Sequence, residues 1–152
     1  MTGPARALVT RRGALRWAAV AAVACGAGRT VGSPVTDLTA FGWSNRLIVV
    51  DAAGDAERAV LRLRAAYTEV VDRDVFWFVL DGRTVRSNFT GALEVGFADA
   101  VRAQLRLQSG ETVLVGKDGG IKARSASLDE AALFALIDTM PMRQREMRDA
   151  AD

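Results

Sequence analysis

Residues 35–53, VTDLTAFGWSNRLIVVDAA, contain the run Leu47-Ile48-Val49-Val50, and its reading decides the fold. Four aliphatic residues in a row, three of them β-branched, with no polar alternation, predict a strand covered on both faces. Gly54 ends it. Upstream, Asp37 opens a short helix-like segment after the Ser33-Pro34 break. Downstream, from Asp55 to Asp72, Val60, Leu63, Tyr67 and Val70/Val71 recur at spacings of three and four. This periodicity predicts an amphipathic helix whose wet side carries Arg58, Arg62, Arg64 and Glu69.

The same alternation continues. Residues 74–82, DVFWFVLDG, predict a second buried strand, and Thr84 to Phe89 a short extra one. Phe97, Val101 and Leu105 mark a second helix centred on FADAVRAQLRL. Glu111 to Val115 and Ile121 to Arg124 are the next two strands. Between them, Asp118-Gly119 predicts a tight hairpin of type I′, which demands positive φ at both central residues. Ser127 and Glu130 have capping-box spacing and open a helix through Ala132, Leu133, Leu136 and Ile137. Pro141 interrupts it, and MRQREMRDAAD follows as a polar, helix-prone tail. The order β-α-β-(β)-α-β-β-α predicts an α/β domain, a central mixed sheet flanked by helices.

Ahead of this domain the chain begins differently. Residues 1–33 hold Arg6, Arg11, Arg12, Arg16 and Arg29 and no acidic residue, with a short apolar run from Trp17 to Cys25. That order reads as a cleavable export signal and linker, and predicts a periplasmic or secreted protein of a bacterial envelope. The run is too short for a permanent membrane span, which needs roughly 20 residues. Arg11-Arg12 fits twin-arginine export as well as the general route. Ala22-Val23-Ala24 is a small-x-small cleavage site before Cys25. A lipid anchor on Cys25 is the alternative, with Ala22 standing where a lipobox usually has Leu.

Composition narrows the chemistry. Without the leader's five arginines, 15 basic residues face 18 acidic ones, a net charge of −3. The domain is slightly acidic, which gives no electrostatic case for nucleic acid. With no histidine, the commonest general base and zinc ligand is missing. The single cysteine is Cys25, so residues 34–152 hold no thiol for a disulfide or a redox couple.

Candidate sites are few. The stretch 114–124, LVGKDGGIKAR, lacks the GxxxxGK[ST] order and the following helix of a phosphate loop, so it reads as a turn. Asp51, Asp55 and Glu57 cluster after the first strand, where α/β folds place their sites. They suit acid–base work. Asp55 also suits an N-cap, and Glu57 a first helical turn, and that capping reading is preferred. Asn88-Phe89-Thr90 matches a glycosylation acceptor. Met140, Met142 and Met147 suit the packing of a terminal helix, Arg143, Arg145 and Arg148 a solvated face, and Trp43, Trp77 and Phe89 the core. No catalytic residue, cofactor or metal site is assigned.

Three stretches carry a resemblance: LTAFGWSNRLIVVDA (38–52), ETVLVGKDGGIKARS (111–125) and LFALIDTMPMRQREMR (133–148). With them the chain resembles the domain of unknown function 4174 family. The resemblance implies a thioredoxin-like fold and no established reaction; related domains occur in some extracellular matrix-associated animal proteins. A thioredoxin's redox cysteines would fall in AAGDAER (52–58), which has none, and its cis-proline near Gly110 or Glu111. The likeness therefore implies a non-catalytic binding or structural module with an envelope protein as partner. The other reading is an envelope enzyme of non-redox type using Asp51, Asp55 and Glu57.

Overall fold

The computed structural model describes residues 33–151. The leader, with Cys25 and its cleavage and lipidation readings, lies outside the described residues. A 3₁₀ turn at Leu38–Phe41 precedes strand β1, Arg46–Asp51. Helices α1 (Ala56–Ala65) and α2 (Tyr67–Asp72) lead to β2 (Val75–Asp81) and β3 (Thr84–Ser87). Then come α3 (Phe97–Leu105), β4 (Thr112–Val115), β5 (Ile121–Ser125), α4 (Glu130–Asp138) and α5 (Pro141–Asp149).

The strands form one sheet in the order β3-β2-β1-β4-β5. β1 and β2 run parallel, from Arg46 opposite Val75 to Asp51 opposite Leu80, and the other pairings are antiparallel. This mixed five-stranded sheet between helices is the α/β architecture that the alternating pattern implies, and it is consistent with a thioredoxin-like arrangement. β1 occupies the centre, and all six of its residues are buried. Ile48 and Val50 turn to one face, into a core with Val60 and Leu63 of α1, Val70 of α2 and Ile137 of α4. Leu47 and Val49 turn to the other, against Phe97 and Val101 of α3 and Phe41 of the 3₁₀ turn. A strand covered on both faces has no wet side, hence its unbroken apolar run.

Several expectations are corrected. The helix read as continuous from Asp55 to Asp72 breaks at Ala66 (φ −87, ψ 29), which shifts the helical phase. Val70 turns inward, whereas Tyr67 and Val71 become exposed. Ser127 is not the cap of α4. Asp129, in an extended conformation, accepts a hydrogen bond from the Ala132 N–H at 3.0 Å instead. The β4–β5 turn is not type I′, because only Gly119 has positive φ (+76) and Asp118 does not. Gly119 N–H donates to the Gly116 carbonyl at 2.9 Å, and Gly116 N–H to that of Gly120 at 2.8 Å. That is the three-residue hairpin pattern, a turn followed by a left-handed glycine.

Trp77 is core and Phe89 packs half-buried beside Phe41 and Phe76, but Trp43 is 75% exposed. Its backbone is left-handed, with φ +65. Asn88 is structural. Its carboxamide accepts from the Trp77 N–H at 2.8 Å and donates to the Val75 carbonyl at 3.0 Å. It continues the pairing of β2 beyond the end of β3.

Candidate functional site

The parallel strands β1 and β2 point their carboxyl ends the same way, and there the chain must turn into α1. Asp55 N–H closes that turn on the Ala52 carbonyl at 2.8 Å. The two residues between them, Ala53 (φ +44) and Gly54 (φ +95), are both left-handed. Glycine adopts this at no steric cost, but alanine is strained by about 1–2 kcal/mol. Beside the turn opens a cleft of about 310 Å³, whose wall includes Asp51, Asp55, Arg58, Arg62, Gly110 and Ser127.

Of the three carboxylates singled out in the sequence, Asp51 and Asp55 line this cleft and Glu57 does not. Alternation along β1 sends Asp51 to the α3 face, where it accepts a hydrogen bond from Arg102 Nε at 2.7 Å. Arg102 also donates to the Gly82 carbonyl at 2.7 Å, so this pair fastens α3 to the ends of β1 and β2. Glu57, on α1, reaches sideways to Arg86 of β3. The hydrogen bond and charge of Arg86 hold its carboxyl below the usual range. Asp55 occupies the N-cap position of α1 but makes no side-chain cap hydrogen bond. The capping expectation for Asp55 therefore fails; its backbone (φ −110, ψ 36) lies outside the extended region typical of a capping residue. Glu57 does lie in the first turn of α1, as expected.

The cationic side of the cleft belongs to α1. Arg62 pairs with Glu130 at the start of α4, joining the two helices across the cleft. Arg58 makes no ion pair among the described residues. The wall thus sets Arg58 and Arg62 of α1 beside Asp51 and Asp55. Such a surface can hold a polar or anionic group of a partner.

At the opposite end of β1 the structure reveals a cluster that the sequence reading missed. Arg46, only 1% exposed, donates from Nη1 to the Arg73 carbonyl at 2.9 Å and from Nη2 to Glu146 Oε1 at 3.2 Å. Lys117 Nζ bridges Glu146 at 2.7 Å and Asp74 at 2.8 Å. Arg143, expected on a solvated face, is 7% exposed and pairs with Asp72 and Asp138. Arg73 holds Asp138 at 2.6 Å and lies over the Phe134 ring. Asp138 is held below the ordinary aspartate value, first by the hydrogen bond from Arg73, with burial opposing. For Glu146 burial pushes upward, but the hydrogen bonds from Lys117 and Arg46 outweigh it and leave the group lowered. Of the methionines on this side, Met140 packs against the core and Met142 and Met147 are half-buried, as expected for a terminal helix.

The family described as "Domain of unknown function (DUF4174)" matches residues 37–146. The chain belongs to that family. No curated protein and no solved structure matches it. The span matched by the DUF4174 family starts at Asp37, whose carboxylate caps the 3₁₀ turn through the Thr39 N–H at 2.8 Å. It ends at Glu146, the hub of the buried charge cluster. Both ends of β1 therefore belong to the DUF4174 domain. Among the described residues no helix is long and apolar enough to cross a membrane.

Proposed function

We propose that this DUF4174 chain is an exported, non-catalytic, thioredoxin-like binding or structural module of the bacterial envelope, acting through a protein partner. One observation carries the reading. The segment where a thioredoxin would place its thiols, residues 52–58, forms the turn into α1 and contains no cysteine, and of the carboxylates around it Asp51 and Glu57 serve separate structural contacts. Thiol–disulfide exchange needs a thiolate, and residues 33–151 have none. The acidic enzyme reading needs Asp51, Asp55 and Glu57 together, and Asp51 and Glu57 point to partners on different elements. The arginine-only leader and its short apolar run support export.

The cleft beside α1 is the surface through which the partner is held. The test is retention of envelope proteins by the tagged full chain and by an Arg58→Glu variant. A stoichiometric partner held by the wild type and lost by the variant is the expected result. A chain that retains nothing, or a partner held equally by both, overturns the reading. The mass of the protein recovered from the envelope tests the leader. Cleavage near Cys25 is expected, fatty acyl groups on Cys25 would make it a lipid-anchored module, and an intact leader would refute export.

A further inference from the structure

We propose that α5 is an acid-released strap, which opens at the Met140–Pro141 connection while the sheet and both apolar cores stay folded. The helix is fastened mainly by charge. Its one fully buried residue is Arg143, and no α5 side chain belongs to or packs against either apolar core. Ion pairs join it to the rest of the domain instead. Glu146 takes Arg46 of β1 at 3.1 Å and Lys117 of the β4–β5 turn at 2.7 Å. Arg143 takes Asp138 of α4 at 3.3 Å and Asp72 at the end of α2, and lies 3.9 Å from Glu146 within α5. At the junction with α4, Met140 is extended (φ −71, ψ 139), and Pro141 has no N–H to tie the two helices together. A neutral tie, from the Gln144 carboxamide to the Asp138 carbonyl, spans that junction alone.

Protonation of Glu146 unbalances the cluster in one place. Lys117 keeps Asp74 at 2.8 Å, and Arg73 keeps Asp138 at 2.6 Å. Arg46 keeps no carboxylate, because Glu146 is its one ion-pair partner among the described residues, and it is only 1% exposed. An arginine does not shed its proton, so a stranded one regains balance by reaching water. β1 does not move to provide it, being paired to β2 and β4 and buried throughout. The element free to move is α5. Protonation of Asp138 loosens Arg143 in the same way and leaves it the more exposed Asp72. Glu146 and Asp138 titrate below their ordinary values in the closed helix, so the strap is held above the unfolded carboxylate values and lost as pH falls through the lowered ones. Once released, a helix of nine residues does not persist in water, where roughly 12–15 are needed, so opening is also melting. It hydrates Arg46 and leaves the cleft at the other end of β1 in place, so the strap does not depend on the function proposed for that cleft.

The experiment is backbone NMR of the full chain, titrated from pH 7 to about pH 3, across the ordinary carboxylate range. Residues 141–149 are expected to lose their helical chemical shifts while residues 46–51 keep native ones, and to regain them when the pH is restored. Glu146→Gln removes the group that responds to acid. At pH 7 its open fraction should exceed that of the wild type about tenfold or more, with a weaker dependence on pH. Loss of α5 and β1 at one pH overturns the proposal, as does an α5 that stays helical after β1 is lost. So does a folded Glu146→Gln chain whose α5 opens at the wild-type pH; should that variant not fold, the wild-type titration decides alone.

Discussion

At its carboxyl end β1 runs into an exposed turn, with Ala53 in a left-handed conformation, an uncapped helix and an open cleft. At its amino end it begins with a fully buried arginine, which pairs with Glu146 of α5 and donates to the Arg73 carbonyl, while Lys117 from the β4–β5 turn joins the same carboxylate. The strand between is one continuous apolar slab, so the difference comes from what the sheet's edges must do. The carboxyl end is fastened to α3 by the Asp51–Arg102 pair. The amino end has to secure α5, whose one fully buried residue is Arg143, so charge replaces apolar contact there. A helix fastened by buried ion pairs is sensitive to loss of one partner, because the survivor is then left charged and desolvated.

Arg46→Met breaks the comparison most severely. It leaves Glu146 with Lys117 and the longer contact to Arg143 at 3.9 Å and frees the Arg73 carbonyl, and a loss of about 3–5 kcal/mol is expected. Against a typical total of roughly 5–15 kcal/mol this leaves a marginal fold. Urea denaturation measures it. A loss under about 1 kcal/mol would show that the cluster is solvated and that α5 is held by its methionines.

Acid attacks the same end. Glu146 and Asp138 titrate below their ordinary values in the folded chain, so their ionised forms favour folding. That stability is complete above the unfolded values, near pH 4–4.5, and is lost as pH falls through the lowered folded ones. Thermal melts should be flat from pH 7 to 5 and fall steeply below about pH 4. In Glu146→Gln the melting temperature should be lower at pH 7 and the acid-side fall shallower. An identical acid profile in the variant would remove Glu146 from the linkage.

How much of this was legible follows from the range of each signal. The apolar run of β1 and the spacing of Val60 and Leu63 are local, so element order and core were readable. Hairpin position was readable from Asp118-Gly119-Gly120, but two adjacent glycines fit more than one turn type, and the left-handed residue proved to be Gly119 alone. Ser127 and Asp129 are both capping residues two positions apart, and backbone conformation chose between them. Arg46 and Glu146 lie 100 residues apart. No periodicity links them, and so Arg143 beside Glu146 read as a wet face. Trp43 misled for the opposite reason. A large aromatic residue is normally core, but Trp43 stands exposed on a left-handed backbone.

At the carboxyl end, smaller effects are expected. Asp51→Asn weakens the charged hydrogen bond from Arg102, and a cost of about 2 kcal/mol in stability should follow. Retention of a partner by the cleft should change little, because the Asp51 carboxylate in its wall is already held by Arg102. Loss of retention without loss of stability would restore Asp51 to the site.

The smallest effect has the opposite sign. The left-handed backbone of Ala53 costs about 1–2 kcal/mol, and glycine there costs about 0.5–1 kcal/mol through the extra freedom of the unfolded chain. Ala53→Gly should therefore stabilise the domain by about 0.5–1 kcal/mol, raising the melting temperature by roughly 2–6 °C. The side chain is exposed, so no packing is given up. Strain that persists beside a cleft is held there by the surrounding structure, and one use for it is pre-organisation of the binding surface. The same variant should then bind the captured partner less well, since a looser turn must be ordered on binding. Greater stability with unchanged partner affinity would mean that the turn is strained for connection alone, and would locate recognition on the arginines of α1.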